Sequence, residues 1–145
     1  MRASGKFSSL LKSLKRPTCT DSMFIVVYPG LRRRCATLHR DFVDSHMYSV
    51  FFLLTRVTMD NGAVKIYLNS TKWERDPKQS TAEQLKKYER KLGKFPFHEV
   101  MMGDPCDLFA FDGRLLHQSS PNSSQDVRIV FAFTLYDAAK INYKT

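Results

Sequence analysis

The chain has few cysteines, few acids near its start and no long apolar run. Its three cysteines form no C-x-x-C pair, and the odd number supports neither a disulfide framework nor a zinc site. We therefore expect an intracellular, reducing compartment. No apolar stretch approaches the length of a membrane span, so no transmembrane helix is predicted.

Acidic residues are nearly missing from positions 1–40, where nine Lys or Arg residues accompany Asp21 alone. Positions 41–145 carry fourteen basic and thirteen acidic residues and are close to neutral. Residues 1–20 are predicted to be a basic leader, disordered or helical, before a folded domain at 21–145. The leader's composition is compatible with a mitochondrial transit peptide and equally with an ordinary basic terminus. A solvated tail explains it more simply than a nucleic-acid surface does.

Short β-prone runs bounded by turn residues dominate the chain, which is typical of an all-β barrel or sandwich. Ser80 and Glu83 form a capping box that predicts one helix over residues 81–92. Strands are predicted at residues 23–28, 36–41, 48–57, 63–68, 97–102, 108–111, 115–119 and 127–136.

The strands fall into two kinds by their apolar pattern. The first, third, sixth and eighth are apolar on both faces, whereas the second and fourth alternate. Burial on both faces indicates a sheet that is covered on its outside, and alternation indicates a sheet with a wetter outer face. Two facing sheets are therefore expected.

His39 and Asp41 stand two residues apart in a predicted strand, so their side chains share one face. A second imidazole, from His117 on another strand, would complete two nitrogens and one carboxylate around a metal. This facial set leaves open positions, as non-haem Fe(II) oxygenases require. An arginine in the same cavity, such as Arg128, could bind a cosubstrate carboxylate through two parallel hydrogen bonds. Alone, His-x-Asp is also compatible with a strand histidine bonded to its neighbour.

The segment GDPCDLFAFDGRLLHQSSPNSSQDVRIVFAFTLYD at 103–137 resembles the C-terminal half of the phytanoyl-CoA dioxygenase-like family of 2-oxoglutarate oxygenases. Upstream, MDNGAVKIYLNSTK at 59–72 is similar to the family's acidic-Asn-Gly run. Two features depart from the family: its Pro-Gly-Ser-His element is replaced by residues 69–72, and its long helical N-terminal region is almost absent. The departures concern substrate recognition more than metal binding.

The resemblance implies a double-stranded β-helix (a cupin-like jelly roll) with one inserted helix. It implies Fe(II) bound by His39, Asp41 and His117, with O2 and 2-oxoglutarate as cosubstrates. Arg128 and Ser119 would then hold the far carboxylate of 2-oxoglutarate. The expected reaction is hydroxylation of a small-molecule or lipid-like substrate. The alternatives are an oxygenase acting on nucleic acid or protein, and a non-catalytic jelly-roll binding module.

Other polar and aromatic residues receive less specific interpretations. His46 and His98 lack the spacing of a metal ligand. Asn122 and the Asp60-Asn61-Gly62 run are interpreted as turn residues. Tyr67 and Trp73 are expected to line the substrate mouth or to pack in the core.

The last strand has consequences for assembly. If Arg128, Val130, Ala132 and Thr134 point inward, Ile129, Phe131, Phe133 and Leu135 point outward. Little predicted helix remains to cover that face. We therefore expect a homo-oligomer, or an N-terminal region missing from this chain, to cover it.

Overall fold

Seven strands and one α-helix form the part of the chain that the computed structural model describes, namely residues 4–30, 38–42, 47–72, 83, 86–87, 90 and 98–140. Helix α1 spans Ser4–Ser13, and two 3-10 turns lie at Ser70–Lys72 and Ala138–Lys140. The strands are β1 (Pro17–Val27), β2 (Met47–Leu53), β3 (Val64–Tyr67), β4 (His98–Met101), β5 (Leu108–Asp112), β6 (His117–Ser119) and β7 (Arg128–Asp137).

The strands form two antiparallel sheets, one in the order β1-β7-β2-β5 and one in the order β4-β3-β6. The core lies between them, where Phe51, Leu53 and Val130 of the larger sheet pack with Val64 and Ile66 of the smaller one. This is the predicted double-stranded β-helix. The four strands with two apolar faces are the four strands of the larger sheet, as the sequence pattern indicates.

Strand limits differ most from the predictions at three places. The strand predicted at 48–57 corresponds to β2, which ends at Leu53. Strand β1 begins at Pro17, because the long β7 continues to Asp137 and pairs with it there. The predicted strand at 36–41 is represented by one bridge, which joins His39 to His117; residues 36–37 lie outside the described part. The predicted helix at 81–92 also lies outside it, except for four residues with helical backbone: Glu83, Lys86, Lys87 and Arg90.

Helix α1 covers part of the outer face of the larger sheet. Leu14 packs with Val50 and Leu135, both nearly inaccessible to solvent. Leu135 was expected to be uncovered, and that expectation is wrong because the leader folds back over it. No described helix has the length and hydropathy needed to cross a membrane.

The outer face stays accessible at β1. Phe24 is 67% exposed, and its ring lies 5.2 Å from that of Phe131. Val26 is also exposed on this side of β1. The predicted alternation of β7 is otherwise confirmed, since Arg128, Val130, Ala132 and Thr134 are buried on the inner side.

The uncovered aromatic patch of Phe24 and Phe131 leads to a prediction about association. Burying apolar surface contributes about 25 cal/mol per Å2, so we expect the isolated chain to associate through this patch. Phe131→Asp should shift the sedimentation profile toward monomer while metal binding is retained. Asn69→Asp, which places a charge at an exposed turn after β3 in the smaller sheet, is the control. A wild-type monomer at high concentration that binds no apolar dye would contradict the prediction.

Candidate metal centre

The two histidines of the predicted metal site are placed by a backbone bridge. The His39 amide donates to the His117 carbonyl and the His117 amide donates to the His39 carbonyl, both at 3.0 Å. Residues that exchange two such bonds lie directly opposite each other, with their side chains on one face. The imidazole centroids are accordingly 4.3 Å apart. The spacing of the rings is therefore set by main-chain pairing.

Asp41 completes the group. Its Oδ1 lies 3.3 Å from Nε2 of His39 and 3.4 Å from Nε2 of His117, and the three residues offer ligand atoms within 4.8 Å of one another. The amides of Asp41 and Phe42 both donate to the Gly113 carbonyl. A Cβ at Gly113 would lie 2.3 Å from the Phe42 ring, so this approach requires glycine.

Hydrogen bonds orient the ligand atoms. Nδ1 of His117 lies 3.0 Å from the Leu115 carbonyl; that oxygen can only accept, so Nδ1 carries the proton and Nε2 faces Asp41. The Ser49 hydroxyl donates to Oδ2 of Asp41, which leaves Oδ1 toward both rings. Two imidazole nitrogens and one carboxylate oxygen suit Fe(II), Mn(II) or Ni(II), with further coordination positions open.

The environment keeps Asp41 ionised. Burial alone would raise the pKa of its carboxyl group, but hydrogen bonds from His117, His39 and Ser49, together with the charge of His117, hold that pKa well below its usual value. The side chain of His117 is 4% exposed, whereas those of His39 and Asp41 are 40% and 27% exposed. The Asp41 carboxyl group is thus kept ionised, and the three residues are open to solvent from one side.

Ser70 connects the two segments that carry the ligands. It is fully buried; its hydroxyl accepts from the Leu116 amide at 2.7 Å and donates to the Tyr67 carbonyl at 2.7 Å. Arg40, between His39 and Asp41, donates to the Ser70 carbonyl at 2.6 Å. This serine lies within residues 69–72, the segment that departs from the family pattern. That segment therefore has a structural role beside the site.

Removing the hydroxyl of Ser49 should weaken metal binding. Ser49→Ala leaves Oδ2 of Asp41 without this donor and frees the carboxylate to rotate, and loss of such a partner typically lowers metal affinity about 10- to 100-fold. Titration with Mn(II) measures the change. Ser49→Thr, which keeps a hydroxyl, should retain more affinity than Ser49→Ala, and equal affinities in all three proteins would contradict the prediction.

A cavity of about 490 Å3 opens over the histidines and Asp41. Most of its walls are apolar, and Arg128 and Ser119 also line it. Arg128 is 2% exposed, and its Nη1 donates to the Gly62 carbonyl at 2.5 Å. A buried guanidinium beside the candidate ligands suits an anionic ligand of the metal.

Gly62 and Asn122 support Arg128. Gly62 has φ +98°, a conformation that favours glycine, and a Cβ there would lie 3.2 Å from the Ser120 carbonyl. Asn122 is fully buried and donates to the carbonyls of Val27 and Asp126, which fixes the loop before β7. Both are turn residues, as expected, but they also position the arginine.

The structure brings all five predicted site residues to one cavity. Sequence reasoning missed Ser49 and Ser70, since an isolated serine carries no motif, and it did not connect Gly62 with Arg128. Tyr67 is 8% exposed, with its hydroxyl accepting from Gln118, and it packs in the core. His46, Trp73 and the side chain of His98 lie outside the described part.

Sequence comparison establishes the family. The model of the phytanoyl-CoA dioxygenase (PhyH) family matches residues 2–130, and the chain belongs to this family. Enzymes of the family use Fe(II), 2-oxoglutarate and O2, and the donor set described above fits such a metal. No curated protein sequence matches the chain significantly.

Solved structures share the fold at low sequence identity. The non-haem α-ketoglutarate-dependent carbocyclase SnoK from nogalamycin biosynthesis is 17% identical with a TM-score of 0.67, over 85% of this chain and 51% of SnoK. The non-haem monooxygenase ThoJ in its Ni complex is 14% identical with a TM-score of 0.67, over 92% of this chain and 50% of ThoJ. EvdO2 from Micromonospora carbonacea var. aurantiaca, complexed with 2-oxoglutarate, is 11% identical with a TM-score of 0.59, over 93% of this chain and 61% of EvdO2. The chain therefore spans half to three fifths of these proteins.

Proposed function

We propose that this chain is an Fe(II)- and 2-oxoglutarate-dependent oxygenase that hydroxylates a small-molecule or lipid-like substrate. The observation that carries the proposal is the convergence of His39, Asp41 and His117 on one point of a cavity that also contains a buried arginine. A binding module without chemistry would not require three metal-ligating atoms oriented in this way.

Each site residue has a distinct role in the proposal. His39, Asp41 and His117 hold the metal, and Arg128 with Ser119 binds the far carboxylate of 2-oxoglutarate. When bound, the cofactors supply oxidation of the substrate, coupled to conversion of 2-oxoglutarate and O2 into succinate and CO2. The protein orients the cosubstrate, keeps Asp41 anionic and surrounds the reacting carbon with apolar walls.

The cavity favours a substrate that is small or has a narrow apolar part. Val130, Ala132, Phe51 and Val64 line it, and its volume lies within the range of small-molecule sites. A nucleic-acid or protein substrate would have to present one extruded group to this space. Hydroxylation is the outcome proposed here, although SnoK is a carbocyclase, so proteins with this fold are not all hydroxylases.

Calorimetric titration of the Ni(II)-loaded chain with 2-oxoglutarate tests the proposal. We expect one site per chain and much weaker binding of glutarate, which has both carboxylates but no keto oxygen to chelate the metal. With Fe(II) and O2, succinate should form, and its rate should rise when a substrate is present. Equal binding of glutarate, or binding without any succinate, would favour the non-catalytic module.

A further inference from the structure

A β-bulge interrupts β1 beside the cavity. Thr20 pairs with Thr134 and Met23 pairs with Ala132, so Asp21 and Ser22 together stand opposite Phe133. One extra residue in one strand changes which side chains face inward, and such bulges often occur next to active sites. Here the bulge turns Met23 and Ile25 toward the cavity and Phe24 away from it.

The bulge also places a carboxylate at the entrance of the cavity. Asp21 has φ +51°, a left-handed conformation that Asp and Asn adopt more readily than most residues. It is exposed, yet it lines the same cavity as the metal group. Asp21 and Phe133 also border a neighbouring depression of about 310 Å3. Asp21 therefore lies at the boundary between the cavity and this surface depression.

Among the described polar residues that line the cavity, Asp21 and Thr134 have no part in the proposed metal and cosubstrate sites. The other six are the three metal-ligating residues, Ser49 bound to Asp41, and the proposed cosubstrate pair of Arg128 and Ser119. The formal charges of a divalent metal, Asp41, Arg128 and a dianionic cosubstrate cancel. Asp21 therefore leaves the cavity with a negative entrance, although the chain as a whole carries a charge of +9.

We infer that Asp21 is a specificity-determining residue that selects a substrate with a cationic group, such as a protonated amine, on an apolar body. The ammonium group pairs with Asp21, while the apolar part lies against Met23, Ile25 and Ala132, which line the cavity, and reaches toward the metal. Thr134, buried beside Ala132, can donate a further hydrogen bond to the substrate. This inference names the substrate class of the proposed function and rests on it.

Three probes with the same apolar chain test the inference: hexylammonium, hexanol and hexanoate. The full chain is loaded with Mn(II) and 2-oxoglutarate, and relaxation of the probe's methylene protons by Mn(II) reports binding near the metal. We expect hexylammonium to bind best. Asp21→Asn keeps the left-handed backbone and should reduce its affinity roughly fivefold, without affecting hexanol. Asp126→Asn removes an exposed carboxylate that does not line the cavity and should change nothing.

Equal binding of the three probes, or an ammonium preference that persists in Asp21→Asn, would overturn the inference. The same titration without metal or cosubstrate measures the contact with Asp21 by itself. Saturation-transfer NMR on the probe detects the binding. Asp21 and the apolar residues beside it are unchanged in that state, so the preference should remain. If the chain does not bind Mn(II) but still prefers hexylammonium, and Asp21→Asn removes that preference, the result would contradict the proposed function and support the charge selection.

Discussion

Asp41→Ala is expected to abolish stoichiometric binding of Fe(II), Mn(II) or Ni(II) without unfolding the domain. Asp41 is the only anion of the candidate donor set, and its Oδ1 lies within 3.4 Å of both imidazole nitrogens. Loss of a partner that merely orients a ligand already reduces affinity about 10- to 100-fold, so loss of the ligand itself should exceed that. Metal content after dialysis and a Mn(II) titration measure the effect.

The variants His39→Ala and His117→Ala should behave in the same way. Asp104→Ala provides a matched control, because the Asp104 carboxylate is 75% exposed, pairs with Arg56 and lies outside the cavity. Thermal unfolding monitored by circular dichroism separates lost ligands from lost folding. If the triple variant of His39, Asp41 and His117 retained its metal, the metal site would have to be elsewhere.

Arg128→Lys should weaken 2-oxoglutarate binding to the Ni(II)-loaded chain by about 1–3 kcal/mol. Lysine keeps the positive charge but lacks the planar fork that can donate to Gly62 and to a carboxylate together. Arg128→Ala should weaken binding further, because no Lys or Arg remains among the described residues that line the cavity. Calorimetry gives both affinities, and metal binding should be little changed in either variant.

Arg114→Lys is the control for loss of a fork outside the cavity. Arg114 makes paired hydrogen bonds to Asp112, with Nη2 at 2.5 Å from Oδ2 and Nε at 2.9 Å from Oδ1. That variant should bind 2-oxoglutarate as the wild type does. Unchanged affinity in Arg128→Ala would show that another group binds the far carboxylate.

Sheet membership could be predicted because all four strands of the larger sheet have apolar residues on both faces. The apolar runs of β1, β2, β5 and β7 record that one face meets the core and the other meets α1 or the aromatic patch. The grouping of His39 and Asp41 was likewise predictable, since strand parity is a local property. His117 could be added only through the family resemblance.

The details that orient the site could not be predicted in the same way. Ser49 reaches Asp41 from another strand, and no spacing in the sequence connects the two residues. The bulge at Asp21 and Ser22 lies before the continuous apolar run of residues 23–27. Because every residue of that run is apolar, the sequence does not show which of them face the core. Leu135 is covered because α1 folds back over it. The composition of the leader does not indicate which surface the helix packs against.

The bridge between His39 and His117 makes the geometry of the candidate metal ligands independent of the length of the segments between them. Two main-chain hydrogen bonds set the distance between the rings, and Ser70 and Arg40 attach the neighbouring segments to the same point. Insertions or deletions in the sequence between these anchors need not change the geometry of the ligands. The arrangement therefore provides a fixed reaction centre around which surface segments can vary, and with them the molecules that the cavity admits.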